Sequence, residues 1–495
     1  MNESVEQIDP TAEISSETVK KRVVKGAAIL TLRTIFMQIV SFIAVGLLTV
    51  FLEPAEYGVF FLVSAVINFL AYFGDIGFAA ALIQKKEKLG NNELKTIFTI
   101  QQILALVLIL LVFIFTPIIK NIYSLSQEAI FLLWALAFSL LLSSLKTIPS
   151  VILERKLEFN KLIIPQIIET VIFNTTAVYL SYKGFGVTSF TIAILLRGFF
   201  GLTVTYFVQP WLPGIYLARD SIRGLLRFGL PYQLNIFLAM IKDDGMTLLL
   251  GNLLGPSGIG LLAWAQKWAY APLRFFMDQA IKVTFPAFSR LQNEKEELSS
   301  IVTKSIFFVS LLVFPSIVML LLLAPTLVSI IPRYGKWEPA LFALSILTIN
   351  SALAAVTTPL TNTLNAIGKI SVTFKLMVMW TVLTWVFVPT FAYLYGLNGA
   401  AIGFTLVGLS SFVALYLISK YVNINYYEAV SKPIVASLIM AVAVFLAKNF
   451  FYPSLTQVFT MVIVSFLSYS LAILIMEPTL FSLINKSIKS GIKRK

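Results

Sequence analysis

The chain contains no cysteine and no histidine. Without cysteine there are no disulfides, no thiol nucleophile and no thiolate metal site. Without histidine the commonest proton relay is gone, so any proton coupling has to use Asp or Glu. Charge is scarce as well: 13% of the 495 residues are charged against 58% hydrophobic, and mean hydropathy is +0.87. A soluble protein of this length needs far more polar surface, so the composition is that of a polytopic membrane protein. No G-x-x-x-x-G-K-[S/T] phosphate loop occurs, which removes the usual signature of nucleotide hydrolysis. No loop is long enough to fold as a soluble domain and house a catalytic centre. The chain therefore reads as a non-enzyme, with no catalytic residues, no metal and no cofactor.

What is present is a series of long apolar runs. A helix crossing a bilayer needs about 20 apolar residues. About fourteen such runs fit the sequence: 24–51, 57–83, 95–119, 129–153, 161–182, 187–209, 225–254, 257–287, 302–331, 338–365, 370–396, 399–419, 431–450 and 455–476. The expected fold is an all-α integral membrane protein. A disordered cytoplasmic tail (1–23) is acidic at Glu3, Glu6, Asp9, Glu13 and Glu17. Six-helix lobes over 24–210 and 224–420 are joined by a cytoplasmic linker, 211–223. Two extra helices (421–478) and a basic cytoplasmic tail (479–495) complete the chain.

The net charge is +14. Its placement alternates: Lys85, Lys86 and Lys88, then Arg155 and Lys156, then Arg219, Arg223 and Arg227, then Arg290 and Lys295, fall on one side. The opposite loops hold little beyond Lys120, Lys183, Arg333, Lys336 and Lys448. The positive-inside rule puts the basic loops and both termini in the cytoplasm. The excess is thus a topological signal and a contact for anionic lipid, not a nucleic-acid patch.

One short pattern recurs. Leu52-Glu53-Pro54-Ala55-Glu56-Tyr57-Gly58 and Leu254-Gly255-Pro256-Ser257-Gly258-Ile259-Gly260 both read L-x-P-x-x-x-G, six spans apart. An even number of spans makes the repeat parallel, and transporters of that design bind substrate near the midplane between their halves. Two parallel six-helix lobes around a central cavity are expected.

Three passages carry a family likeness: PAEYGVFFLVSAVINFLAYFGDIGFAAALIQKKE from Pro54, DDGMTLLLGNLLGPSGIGLLAWAQKWAYAPL from Asp243, and FPAFSRLQ from Phe285. They resemble the polysaccharide-exporter branch of the multidrug/oligosaccharidyl-lipid/polysaccharide (MOP) superfamily, the Wzx-type flippases and their teichuronic-acid and colanic-acid exporter relatives. The resemblance implies a V-shaped two-lobed bundle in the bacterial inner membrane. It implies transfer of a polyisoprenyl-diphosphate-linked oligosaccharide to the outer leaflet, for lipopolysaccharide or exopolysaccharide synthesis. The partners it implies are the lipid-linked oligosaccharide, the bilayer, and a polysaccharide polymerase with chain-length machinery. Drive would come from an ion gradient (H⁺ or Na⁺), the membrane potential or product removal. The alternatives are a cation-coupled drug antiporter of the same superfamily, a membrane glycosyltransferase or polymerase, and a non-transporting scaffold.

Charges within spans mark the candidate site, because they are expensive at membrane depth. Substrate-binding candidates are Arg274, Arg197, Lys267, Lys242 and Arg33, since a diphosphate needs fixed cations and Arg offers a planar fork. Lys267, Arg274 and Asp278 share one helical stripe, bordered by Trp264. Ion-coupling candidates are Asp243, Asp244, Asp278, Asp75 and Glu169. Each has a plain alternative: Arg274 pairing with Asp278, Asp243 or Asp244 pairing with a lysine, Asp75 pairing with Arg33, and Lys146 snorkelling. Cations outnumber acids within the spans, which favours an anionic ligand over a drug cation.

Overall fold

The computed structural model describes residues 16–72, 78–84, 89–217, 237 and 240–478, and all regular structure among them is helical. Packing divides the chain into two compact units, Met1–Gly260 and Leu261–Lys495.

The first unit holds α1 (Ser16–Phe51), α2 (Pro54–Ala71), α3 (Phe78–Gln84), α4 (Asn91–Tyr123), α5 (Gln127–Arg155), α6 (Phe159–Tyr182) and α7 (Thr188–Val208), then a π-helical turn, Ile241–Gly245. α6 packs on α7 and α1, and α5 on α7 and α4. Around α4 and α5 the buried core includes Phe78, Leu94, Ile97, Phe98 and Ile152. Pro54 opens α2, where its missing N–H costs nothing, and the Glu53 N–H donates to Glu56 Oε2 at 2.8 Å to close the first turn.

α8 (Met246–Arg290) begins in the first unit and continues into the second. There it is followed by α9 (Lys295–Ile330), a 3₁₀ turn (Gly335–Ala340), α10 (Leu341–Ala366), α11 (Ile370–Leu409), α12 (Ser411–Ser419), α13 (Tyr426–Lys448) and α14 (Leu455–Met476). α13 and α14, the two appended helices, pack on each other and on α9. The Tyr469 hydroxyl donates to the Leu311 carbonyl at 2.7 Å, and Lys432 pairs with Glu477.

Twelve segments among the described residues are long and apolar enough to cross a membrane, against about fourteen read from the sequence. Two of them, Ile241–Arg290 and Ile370–Ser419, run to 50 residues. A straight helix of that length would measure about 75 Å, more than twice the ~30 Å hydrocarbon core. Neither is straight. Gly255 (φ 66°, ψ 177°) and Gly396 (φ 59°, ψ −137°) break them, in a backbone region that only glycine enters freely. At Gly396 the chain doubles back: a Cβ on Gly403 would lie 2.7 Å from the Val388 Cα. Much of the seventh run, 225–254, lies outside the described residues.

The repeated L-x-P-x-x-x-G stretches meet. A Cβ on Gly58 would stand 1.8 Å from the Pro256 carbonyl oxygen, and a Cβ on Gly260 would stand 1.8 Å from that of Pro54. The crossing is reciprocal, each glycine receiving the proline carbonyl of the other motif. Only glycine lets two helix backbones approach so closely. This crossing is why the first arm of α8 belongs, by contact, to the first unit.

Candidate functional site

α6 presents one face along Gln166, Glu169 and Phe173, at steps of three and four residues. Cations from three other helices converge on it. Arg33 of α1 donates from Nη1 to Gln166 Oε1, and its buried Nε has no acceptor among the described residues. Lys146 of α5 forms an ion pair with Glu169 Oε1. Arg197 of α7 holds its Nε 3.6 Å from Glu169 Oε2 and its guanidinium 5.8 Å from the centre of the Phe173 ring.

The cluster has a defined seat and a defined open side. Gly201 lies under the carboxylate: a Cβ there would fall 2.0 Å from Glu169 Oε1. The Glu169 side chain is 13% exposed and that of Lys146 16%, whereas that of Arg197 is 52% exposed. Lys146 and Glu169 therefore neutralise each other in the interior, and Arg197 presents its fork outward. With Arg33 on Gln166, three cations border a face of α6 that carries one carboxylate among the described residues. Arg197 and Glu169 sit near the middle of their helices, at the depth where an uncompensated charge is most costly. An anion is the ligand this arrangement suits.

Gly201→Ala is expected to push Glu169 off its seat and to lower thermal stability toward that of Glu169→Gln. Thermal unfolding of the two variants side by side checks this.

The π-turn carries Lys242, Asp243 and Asp244. Lys242 Nζ lies 3.4 Å from Asp243 Oδ1, with Asp243 71% exposed, so this pair contributes little. Asp244 Oδ1 accepts from Asn68 Nδ2 of α2 at 3.4 Å. π-turns recur at functional sites, because the extra residue re-aims the side chains of a helix.

On α8, Lys267, Arg274 and Asp278 are all exposed. Among the described residues no ion pair joins Arg274 to Asp278, and Lys267 has no carboxylate partner. Trp264 turns away from them. It is buried, stacks on Trp337 with ring centres 5.5 Å apart, and donates to the Tyr334 hydroxyl at 3.1 Å. Asp75 lies outside the described residues. No cluster of three metal-ligating side chains occurs among the described residues.

Sequence reasoning named Arg197, Arg33 and Glu169 separately but missed Gln166, Phe173 and Gly201. The signal for the first two was available: Gln166, Glu169 and Phe173 follow helical periodicity around a buried charge.

The chain is similar to the lipopolysaccharide biosynthesis protein WzxC of Escherichia coli (strain K12), 23% identical over 416 residues covering 81% of each chain. It is similar to the succinoglycan biosynthesis transport protein ExoT of Rhizobium meliloti (strain 1021), 24% identical over 454 residues and 89% of each chain. Among solved structures it resembles the lipid II flippase MurJ in its inward closed conformation, with TM-score 0.75 over 92% of this chain and 100% of that one at 17% identity. It also resembles an inward-facing multidrug resistance MATE family transporter of the MOP superfamily, with TM-score 0.58 over 78% of this chain and 95% of that one at 18% identity. At such identities the structural likeness is one of fold. The family described as "Polysaccharide biosynthesis protein" matches residues 47–342, a range that takes in all three passages of resemblance, and the chain belongs to that family.

Proposed function

We propose that the protein translocates a polyisoprenyl-diphosphate-linked oligosaccharide across the bacterial cytoplasmic membrane by alternating access, for surface-polysaccharide synthesis. The observation that carries this reading is the net-positive cluster on α6, with Lys146 and Arg197 on Glu169, Arg33 on Gln166 and Arg197 open. A diphosphate supplies the anionic oxygens that such a cluster lacks. The named activities of the relatives point the same way, and a drug-cation antiporter would favour an acidic site. Both termini lie in the cytoplasm, on the strength of the basic loops. The protein performs no bond chemistry of its own. Asp244, held by Asn68 on the π-turn, is the coupling carboxylate for H⁺ or Na⁺. The polymerase and chain-length machinery take over the product on the far side.

Lys267 and Arg274, exposed on the part of α8 in the second unit, are further candidate contacts for an anion. The experiment is polymer export in a null strain complemented with wild type, Arg274→Ala or Arg274→Lys. Inner-leaflet lipid-linked intermediate and inserted protein are quantified in parallel. Arg274→Ala is expected to lose most export and accumulate the intermediate at normal protein level, with Arg274→Lys in between. Full export by Arg274→Ala would remove Arg274 from the mechanism. A null strain lacking the intermediate would place the protein upstream of flipping.

A further inference from the structure

The segment 209–217 follows α7 and has no regular structure, yet it is pinned along the first unit. Trp211 is buried edge-on against Phe98, ring centres 5.2 Å apart, and joins the core with Leu94 and Ile97. The Tyr216 N–H donates to Thr99 Oγ1 at 3.2 Å. Gly214 lies on the Lys95 side chain: a Cβ there would stand 2.7 Å from Cε and 3.1 Å from Nζ. Pro210 and Pro213 stiffen the strap in an extended course. The sequence places the start of a cytoplasmic linker at 211, but residues 211–217 are docked.

The other side of the strap is apolar. Leu212 is 86% exposed and Ile215 is 89% exposed, although both flank residues that are fixed in place. α7, at 21 residues, is about as long as the hydrocarbon core is thick, so the strap starts at a membrane boundary. Lys95 has no ion-pair partner among the described residues. Its stem lies along the strap with its ammonium at the end, the posture of an interfacial lysine. Arg219 and Arg223 follow in the sequence.

We infer that residues 209–217, together with Lys95, form a docking surface for anionic phospholipid of the cytoplasmic leaflet. Leu212 and Ile215 enter the acyl boundary, and the Lys95 ammonium meets a lipid phosphate. Apolar anchors beside a cation are what such an interface selects. The choice of leaflet rests on the orientation proposed above.

The native absence of cysteine allows a single label in the full-length protein. Leu212→Cys, Ile215→Cys and, as an exposed control in the first turn of α9, Glu296→Cys would carry an environment-sensitive fluorophore. They would be reconstituted in phosphatidylcholine vesicles with or without phosphatidylglycerol. Labels at 212 and 215 are expected to be quenched severalfold more by shallow lipid nitroxides than by iodide, with the reverse at 296. Phosphatidylglycerol should deepen the lipid quenching, and Lys95→Gln should abolish that increment. Iodide access equal to that at 296 would overturn the proposal. So would protection from both quenchers, which would put the side chains against protein, or a phosphatidylglycerol effect that survives Lys95→Gln. These readouts need no transport, so they fail or hold independently of the flippase reading.

Discussion

Arg197→Ala is expected to weaken binding of the lipid diphosphate by about 10- to 100-fold and to cut transport accordingly. A hydrogen bond to a charged group contributes roughly 1.5–3 kcal/mol, and about 1.4 kcal/mol is a tenfold change in affinity. Arg197 is the member of the cluster free to make such bonds: its side chain is half exposed, and its contact with Glu169 is a loose 3.6 Å. Removing it leaves Lys146 paired with Glu169, so the fold should persist with normal insertion and thermal stability. Lys146→Ala is the contrast. It strips the better-buried partner from a mostly buried carboxylate, and breaking such a pair costs about 3–5 kcal/mol. Lys146→Ala should therefore lower Tm and protein level, whereas Arg197→Ala should lower transport at unchanged Tm. Ligand titration and thermal unfolding of the two purified variants separate these effects. A loss of Tm in Arg197→Ala as large as in Lys146→Ala would make Arg197 a packing residue.

Gly58→Ala and Gly260→Ala should each destabilise the protein by about 1–3 kcal/mol, the usual cost of forcing extra atoms into a packed contact. The added Cβ would fall 1.8 Å from a carbonyl oxygen of the facing backbone, far inside the ~3.5–4 Å optimum for non-bonded atoms. Neither carbonyl belongs to a side chain that can swing away, so α2 and the first arm of α8 must separate. Both substitutions relieve the same crossing, so the double variant should cost less than the sum of the two. Gly46→Ala, in α1 with nothing within 4 Å of a Cβ, is the control and should be neutral or slightly stabilising. Thermal unfolding of the purified variants in detergent reads all four. Wild-type Tm in Gly58→Ala would contradict the reciprocal crossing.

The membrane spans were legible in the sequence for a physical reason: a bilayer offers the backbone no partners, so each crossing must be a self-satisfied apolar helix. The recurrence of L-x-P-x-x-x-G was legible too, and so was its role as a turn. What it could not show was that the two copies touch, since contact between residues 202 apart (Pro54 and Pro256) leaves no mark on local pattern. The same gap separates naming Arg197 and Glu169 from seeing them paired across α6 and α7.

Lys242, Asp243 and Asp244 show a different gap. The chain there is a π-turn with an extra residue in the turn, a local rewinding that hydrophobic periodicity does not announce. On α8 the projection held for Lys267, Arg274 and Asp278, which are all exposed. Trp264 borders the stripe in projection yet packs on Trp337, because an aromatic ring reaches sideways into a neighbouring element.

The most direct test of the account is flipping by the purified protein. Wild type would be reconstituted into vesicles containing a polyisoprenyl-diphosphate-linked oligosaccharide, and the outward-facing fraction read with a sugar-modifying enzyme that cannot cross the bilayer. The account predicts that the wild type exposes the inner-leaflet pool over time, and that Arg197→Ala at equal incorporation does so at a rate lower by one to two orders of magnitude, in line with the ~10- to 100-fold loss of binding. Exposure no faster with wild type than in protein-free vesicles, under an imposed H⁺ or Na⁺ gradient or membrane potential of either sign, would contradict it.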